Sequence, residues 1–371
     1  MTIKQSSSFN DIDTALVSDT HIFSGTIFLL YGFDMGDDFH LEKIDQSQQL
    51  NVVPKALPSY LKSYHKPLTI SLPTTPNSTN GIRCMYGNIH HFGTVSLVYQ
   101  VPFSGTLTHL RDKLNDLDNQ CQKQSISDAH TIFKKIKPFT VQPTFYHQSN
   151  SYLVIHITPQ PETVPTTLLR SKYGSLIASI LRFEKETISP FQVFDILESA
   201  TGYYREEMVI IDTEAAFMYD KEPEELLGFF EFAMIQQLEL RYFDKILDQK
   251  LDAVYHRTLQ KPSLRNCLPF SSLIKDPIGE LSNLKVDISV ITERLDNSIK
   301  TGGEAYYSEI YDLLVEKLAI KTWQQSIAKK LEIIRDVRTI HQNIIDAIRE
   351  DMLSVLIIIL IFIELMVGII R

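Results

Sequence analysis

The chain has 371 residues, of which 44% are hydrophobic and 22% are charged, and these proportions exclude bulk disorder. Its formal net charge of −9 argues against a general nucleic-acid binder, which needs a basic surface to neutralise phosphates, so we expect no nucleic-acid partner. Its three cysteines are far apart and show no CxxC or Cys/His spacing, so they indicate buried thiols rather than a disulfide framework or a zinc ribbon.

The first 20 residues predict a flexible N-terminus and no targeting segment. The stretch "MTIKQSSSFNDIDTALVSDTH" lacks the apolar core of a secretory signal. It contains no Arg and carries Asp11 and Asp13, which also counts against a mitochondrial presequence. We therefore expect the chain to begin in the cytosol or an equivalent interior compartment.

Residues 21–160 predict an α/β domain. Alternating and β-branched runs indicate strands at 24–33, 81–88, 91–101 and 151–158, and helical patterns fall at 37–47 and 105–136. The order strand, helix, strand, strand, helix, strand is that of a ferredoxin-like unit, interrupted by a Pro-rich insertion at 48–80. Gly87 and Asn88 are the expected turn between the second and third strands.

Residues 161–260 predict two helices, a short β-hairpin and a long helix. The helices are expected near 168–185 and 190–199, and "EMVIIDTEAAFMYD" (207–220) indicates a hairpin that turns at Asp212-Thr213-Glu214. From Pro223 no helix breaker follows until Pro262. This stretch predicts a helix of about 50 Å, since each helical residue adds 1.5 Å.

Residues 274–350 predict a helical hairpin or a coiled coil. A first apolar seam has heptad spacing: Leu281, Leu284, Ile288, Ile291 and Leu295. After a turn at Gly302-Gly303, a second run of apolar positions ends in a similar rhythm: Ile310, Leu314, Leu318, Ile327, Leu331, Ile334, Arg338, His341, Ile345 and Ile348. The two seams predict an antiparallel hairpin within the chain or, as the alternative, an intermolecular coiled coil. We therefore expect a protein partner or a homo-oligomer through helices 274–350.

The stretch from Met352 to Ile370 predicts a transmembrane helix, residues 352–370. Among its residues, Ser354, Glu364 and Gly368 alone are neither aliphatic, Met nor Phe. Its length is about 28 Å, close to the ~30 Å hydrocarbon core of a bilayer. Fourteen Ile, Leu, Val and Phe residues favour insertion by about 4 to 8 kcal/mol, and one acidic residue opposes it by about 3 kcal/mol. The alternative, a buried core helix, usually has a polar stripe that this run lacks.

Basic residues around this span predict its orientation. Most of them precede it: Lys329, Lys330, Arg335, Arg338 and Arg349, with Arg371 alone after it. The positive-inside rule then keeps the preceding chain in the cytoplasm. The sequence thus predicts a tail-anchored, single-pass protein that has the lipid bilayer as a partner. The expected location is the bacterial inner membrane or, in a eukaryote, the mitochondrial inner membrane.

The carboxyl group within the span is the candidate for a contact inside the bilayer. Glu364 lies off the incoming heptad seam and shares a helix face with Leu360 and Gly368 at i±4. A polar side chain beside a small residue is typical of helix–helix contacts in membranes. We predict an oligomer or partner contact at these three residues; tolerance by snorkelling and proton or ion chemistry are the alternatives.

No catalytic motif is present. P-loop, GxGxxG, HExxH, GxSxG and DxDxDG patterns are all absent, so we predict no catalytic residue, no cofactor and no metal site. Asp244, Asp248 and Asp252 repeat on one helix face, where a metal is conceivable but a solvated face offset by basic neighbours is favoured. His90 or His91 could bind a metal with His156 if their strands paired, although adjacent strand residues point to opposite faces.

The last third of the chain resembles the family of proteins required for meiotic nuclear division. The likeness covers about 304–370: "YYSEIYDLLVEKLAI" leads toward "LSVLIIILIFIELMVGI", where Leu356 to Leu365 carry the match and Glu364 stands in the place of the family's acidic residue. Two features depart from that family, since no presequence is visible and its aromatic "FFFR" strand is matched only in part by "HHFGTVSLVY". The resemblance is that of a bacterial or divergent relative, and it implies a membrane-anchored scaffold or tether without catalytic residues.

These observations predict an α+β fold: an N-terminal ferredoxin-like α/β part, long helices, and one C-terminal transmembrane helix. The expected function is that of a non-enzymatic, membrane-anchored scaffold, tether or interaction protein. The alternative is a membrane-addressed enzyme or ligand sensor that uses the N-terminal α/β domain.

Overall fold

The structure, a computed structural model, describes residues 21–54, 66–72, 81–146, 149–159, 163–258 and 305–370. The flexible N-terminus predicted for 1–20 and the seam from Leu281 to Leu295 lie outside the described residues. The described residues form two compact units: unit 1 lies within Met1–Glu239 and Arg294–Lys321, and unit 2 within Leu240–Glu293 and Thr322–Arg371.

The strands and helices of the described chain are these. The strands are β1 (Phe23–Asp34), β2 (Asp38–Phe39), β3 (Asn51–Val52), β4 (Leu68–Ser71), β5 (Arg83–Ile89), β6 (Thr94–Gly105), β7 (Thr140–Val141), β8 (Asn150–Ile157), β9 (Met208–Ile211) and β10 (Ala215–Tyr219). The helices are α1 (Leu41–Gln46), α2 (Leu107–Ile136), α3 (Thr166–Leu181), α4 (Pro190–Glu198), α5 (Glu224–Thr258), α6 (Ala305–Lys317) and α7 (Ile320–Ile370), and a short 3₁₀ helix (Lys137–Phe139) follows α2.

An eight-stranded sheet organises unit 1, in the order β3-β4-β5-β6-β1-β8-β10-β9. Its four central strands, β5, β6, β1 and β8, pair antiparallel with one another. With α1 after β1 and α2 after β6, this is the arrangement of a ferredoxin-like unit, so the predicted α+β fold is confirmed. The short strands β3 and β4 fall within the Pro-rich insertion and extend one side of the sheet.

The predicted hairpin at 207–220 is present and belongs to the same sheet. β9 and β10 pair antiparallel, and β10 pairs with β8 in parallel. The parallel pairing requires a crossover, which α3 and α4 provide. The sheet formed by residues 21–160 therefore also contains β9 and β10, which come from residues 161–260.

One face of the sheet packs on α2. Leu29, Tyr31 and Phe33 alternate along β1 and join the same apolar core as Leu110 and Leu114 of α2. α2 begins after Thr106, whose hydroxyl accepts a hydrogen bond from the His109 amide and so caps the helix. At the core margin, tyrosine hydroxyls donate to carboxylates of α2: Tyr31 to Asp118 at 2.9 Å and Tyr99 to Asp128 at 2.7 Å.

The opposite face of the sheet carries the first half of α5. Gly32 of β1 lies beneath it, where an added Cβ would come within 3.1 Å of Leu238 and Met234. Tyr152 of β8 stacks on Phe230 of α5, with ring centroids 5.7 Å apart. The long helix predicted from Pro223 is therefore confirmed, and the apolar first half of its sequence is explained by burial on the sheet.

The predicted turn at Gly87-Asn88 is wrong. Both residues lie inside β5, and the chain turns at 90–93 before β6 begins. Glycine is required at position 87 because a Cβ there would come within 2.9 Å of the Leu97 side chain. Asn88 can be buried within the strand because its side chain is hydrogen-bonded to other polar side chains. The residue that allows the turn is Gly93, whose φ of +93° is unfavourable for any residue with a side chain.

The second helical run of the C-terminal third is interrupted once. The helix predicted through Ile310, Leu314 and Leu318 ends at Lys317, and Ala319 has a φ of +52°. α7 then runs without a break through 51 residues. The first arm of the predicted hairpin or coiled coil lies outside the described residues, so that arrangement stays a prediction.

Candidate functional site

One helical segment of the described chain is long and apolar enough to cross a membrane. It is Asp346–Ile369, 24 residues near the end of α7, and none of its most apolar stretch is buried against the protein. Leu356, Ile358 and Phe362 are each more than half exposed. A soluble protein rarely exposes a continuous apolar surface of this length, so this segment is the clearest candidate interaction surface.

The three predicted contact residues lie on this segment. Glu364 and Leu360 are exposed on α7, and no described residue approaches within 4 Å of the position that a Cβ would take at Gly368. A helix surface with this open space can accept the close approach of a second helix. Among the described residues the structure brings no partner helix to them, and their role stays a prediction.

A buried polar network lies between α5 and the sheet, and sequence reasoning missed it. The carboxylate of Glu231 accepts hydrogen bonds from Tyr86 at 3.0 Å, from Asn88 at 2.7 Å, and from Ser96. The Asn88 oxygen accepts in turn from Thr69 at 2.7 Å. Three donors satisfy a carboxylate that is only 5% exposed, so the network fixes the position of α5 on the sheet.

A second buried carboxyl group lies two helical turns further along α5. Glu239 is 2% exposed and accepts a hydrogen bond from the Thr94 hydroxyl. Burial, followed by the neighbouring Asp34, raises its pKa well above the usual value. The signal for both glutamates was present in "FFEFAMIQQLELRYF", where acidic residues interrupt a helix that is apolar on nearly all sides.

An ion pair lies at the β9–β10 hairpin. Arg182 Nε is 2.5 Å from Asp212 Oδ2, and the Asp212 side chain is fully buried. Burial raises the pKa of Asp212, and Arg182 opposes that rise. Tyr152 donates to the Asp212 carbonyl at 2.8 Å. The pair therefore ties the hairpin to the residue that follows α3.

The weak metal candidates are not assembled. β1 separates β6, the strand that follows His90 and His91, from β8, which carries His156, so the strand pairing on which this candidate site depended does not occur. Within the described ranges, no group of three or more His, Cys, Asp or Glu residues could hold a metal ion.

The aspartate face of α5 has a cation of the protein beside it. In unit 2, Lys330 of α7 lies 2.7 Å from Asp244 and 2.6 Å from Asp248. This contact agrees with the interpretation of these aspartates as a charged face offset by basic residues rather than a metal site.

The chain has a distant relative among known proteins. Its sequence is 25% identical over 171 residues to a protein of Methanocaldococcus jannaschii described as "Uncharacterized protein MJ0711". The aligned region covers 46% of this chain and 51% of that protein, so the chain spans about half the length of the curated relative it matches. No solved structure matches.

The match bears on a different part of the chain from the resemblance over about 304–370. The sequence profile of the family described as "Uncharacterized protein MJ0711, N-terminal domain" matches residues 24–225, more than half of the chain. That range contains almost all of the eight-stranded sheet and the first residues of α5. The chain therefore belongs to the family defined by the N-terminal domain of uncharacterized protein MJ0711.

Proposed function

We propose that this chain is a single-pass membrane protein that acts as a scaffold, tether or other interaction protein and not as an enzyme. The observation that carries the proposal is the exposed apolar segment Asp346–Ile369 at the end of α7. Its aliphatic residues favour insertion by several kcal/mol, more than the ~3 kcal/mol that Glu364 costs. A bilayer is the environment that covers this surface on every side.

The basic residues before the apolar stretch 352–370 support a cytoplasmic α/β unit. Five Lys and Arg residues, from Lys329 to Arg349, precede this stretch, and Arg371 follows it directly. The positive-inside rule places the more basic flank in the cytoplasm. We therefore propose the bacterial inner membrane, or the mitochondrial inner membrane in a eukaryote, with unit 1 on the cytoplasmic or equivalent side.

A role in binding other proteins is the second part of the proposal. The heptad spacing within 274–350 favours helical partners, which include a second copy of this chain. The resemblance of residues 304–370 to the family required for meiotic nuclear division supports the same role, since that family implies an anchored scaffold. Catalytic motifs are absent from the whole sequence.

Carbonate extraction of membranes that contain the full chain tests the anchor. We expect the wild-type chain to stay in the membrane pellet together with an integral control protein. A double variant, Ile358→Lys and Ile361→Lys, should move to the supernatant, because each lysine at the centre of a span costs about 3 kcal/mol.

The matched control places the same two charges on the same helix outside the span. Ile333 and Ile340 are also exposed residues of α7, so Ile333→Lys with Ile340→Lys should leave the chain in the pellet. Release of the wild-type chain by carbonate would contradict the anchor. Equal release of both double variants would show that the segment has no special part in membrane binding.

A further inference from the structure

Two buried carboxyl groups meet at the end of the sheet under α5. Asp34 is the last residue of β1 and is the direct cross-strand partner of Thr94 in β6. The Thr94 hydroxyl donates to Glu239 of α5. Since directly opposed residues of antiparallel strands have Cβ atoms about 5 Å apart, Thr94 places the two acids next to each other.

The hydrogen bonds of Asp34 are incomplete. Its Oδ1 accepts from the Gly36 amide at 3.1 Å, whereas its Oδ2 is buried and has no hydrogen-bond partner among the described residues. Asp34 and Glu239 are each only 2% exposed. Two ionised carboxylates at such a site would repel each other and both lose their hydration, whereas one proton held between them removes the repulsion and leaves a single buried charge.

A third acid also affects the pKa values of Asp34 and Glu239. Asp37, in the turn after β1, raises the pKa of both carboxyl groups. Burial is the larger cause and, with Asp37, raises the pKa of Asp34 to about 7 although the Gly36 amide lowers it. Other titratable groups on the elements packed here include His90 and His91 of the β5–β6 turn, and Glu231 and Arg241 of α5.

The Asp34–Glu239 pair lies where α5 passes from unit 1 into unit 2. Glu239 is the last residue of α5 that belongs to unit 1, and Leu240 is the first that belongs to unit 2. Glu239 therefore contacts the sheet at the point along α5 where unit 1 ends. A change in the charge of this contact alters how far along its length α5 is held by the sheet.

We propose that Asp34 and Glu239 share one proton when α5 is seated on the sheet, and that this proton is released when α5 around Glu239 separates from the sheet. The O–H bond of the shared carboxyl breaks, and the proton passes to water or to a buffer base. Rising pH therefore favours the separated state until the seated pair itself loses its proton. The pair is a proton-controlled latch, and it operates whether or not α7 spans a membrane.

Hydrogen exchange of the full chain in phospholipid nanodiscs tests the latch. The protection factor of residues 232–242 would be measured from pH 5 to pH 8, with strand β8 as an internal reference because chemical exchange itself is base-catalysed. We expect the protection of 232–242 to fall up to about tenfold per pH unit and then to level off, since one proton is released on opening. β8, which exchanges on global unfolding, should keep a higher protection factor than 232–242 at every pH, and this difference distinguishes local opening of α5 from unfolding of the whole chain.

Two variants isolate the shared proton. Asp34→Asn can donate a hydrogen bond to Glu239 without titrating, so the pH dependence of 232–242 should disappear in this variant. Glu239→Gln should behave in the same way and carries the test if the first variant folds poorly. Asp38→Asn is the matched control, because Asp38 is an exposed acid of β2, close to Asp34 in the sequence, and it should keep the wild-type pH dependence.

Three outcomes would overturn the proposal. The first is a wild-type chain whose protection at 232–242 is independent of pH. The second is a folded Asp34→Asn variant that keeps the full dependence. The third is protection restored at pH 8 by Ca²⁺ or Mg²⁺ in the wild type but not in Glu239→Gln, which would identify a cation site in place of a shared proton.

Discussion

Glutamates in α5 and α7 illustrate how the surroundings of one residue type decide its role. Glu231 is buried and fully hydrogen-bonded, and its three donors make it a fixed structural acceptor. Glu239 is buried beside a second acid and is suited to hold a proton. Glu364 lies exposed on an apolar helix, where a carboxyl group favours a contact with another helix.

At this scale we predict that Glu364 contributes to self-association in the membrane. Glu364→Leu should reduce crosslinking between copies in native membranes about three- to tenfold, because a polar contact between membrane helices is worth about 1 kcal/mol. Glu364→Gln retains a hydrogen-bonding side chain and should crosslink nearly as well as the wild type. The fraction of crosslinked dimer on denaturing gels measures the effect.

The control for this prediction is Ile358→Leu, which introduces the same residue type at another exposed position of the same segment. Each residue turns an α-helix by about 100°, so Ile358 lies about 120° around the helix from Glu364. This variant leaves the polar contact untouched and should crosslink as the wild type does. Equal crosslinking by Glu364→Leu and the wild type would exclude Glu364 as a contact residue.

The β5–β6 turn shows how an element depends on one glycine. Gly93 has a φ of +93°, and a Cβ at this position would overlap the carbonyl oxygen of Gly36. The Gly93 carbonyl also accepts from the Met35 amide at 2.9 Å, so the turn is tied to the loop after β1. No side chain can be added here without moving one of these two backbone segments.

We therefore predict that Gly93→Ala lowers the free energy of unfolding by about 3 kcal/mol, from backbone strain together with the overlap. Gly81→Ala is the matched control, because Gly81 also has a positive φ, +71°, but no atom of the described residues lies within 4 Å of an added Cβ. That variant should lose only about 1 kcal/mol, the cost of the unfavourable φ. Chemical denaturation of both variants measures the difference, and equal losses would contradict the role of the Gly36 contact.

The elements themselves were largely predictable, because their signals are local. Strand β1 and helices α2 and α5 follow from periodicity, from a Thr cap and from the positions of proline. The turn before β6 was misplaced since Gly87-Asn88 has the composition of a turn, whereas the burial that keeps it in a strand depends on Leu97 and Glu231, which are distant in sequence. The partners of Glu231 and Glu239 could not be predicted for the same reason.

At the scale of the whole molecule, several ionisable groups link folding to pH. Burial raises the pKa values of Asp34, Asp118, Asp212 and Glu239. Each of these groups holds its proton more tightly in the folded chain, so its stabilising effect is complete below the unfolded pKa of about 4 and is lost as the pH rises through the folded value. His156 acts in the opposite sense: burial lowers its pKa, so stability is lost as the pH falls below about 6.5.

Because the carboxyl groups outnumber the histidine, we predict that the thermal unfolding midpoint falls by about 5 °C between pH 5 and pH 7, as expected for roughly one net proton released on unfolding. Circular dichroism melts of the full chain in detergent would measure it. His156→Gln should make the decline steeper by removing the opposing contribution. A midpoint that rises over this range would contradict the prediction.

The outer strands of the large sheet restrict how copies of this protein can associate. At one side β3 has two residues, and at the other β9 has four. The outer edge of β9 is already occupied, because Val209 and Thr201 exchange two backbone hydrogen bonds of 2.7 and 2.9 Å. Sheets with short or covered edges offer few backbone groups to another sheet. The described sheet edges therefore disfavour strand-to-strand polymerisation between copies of this chain.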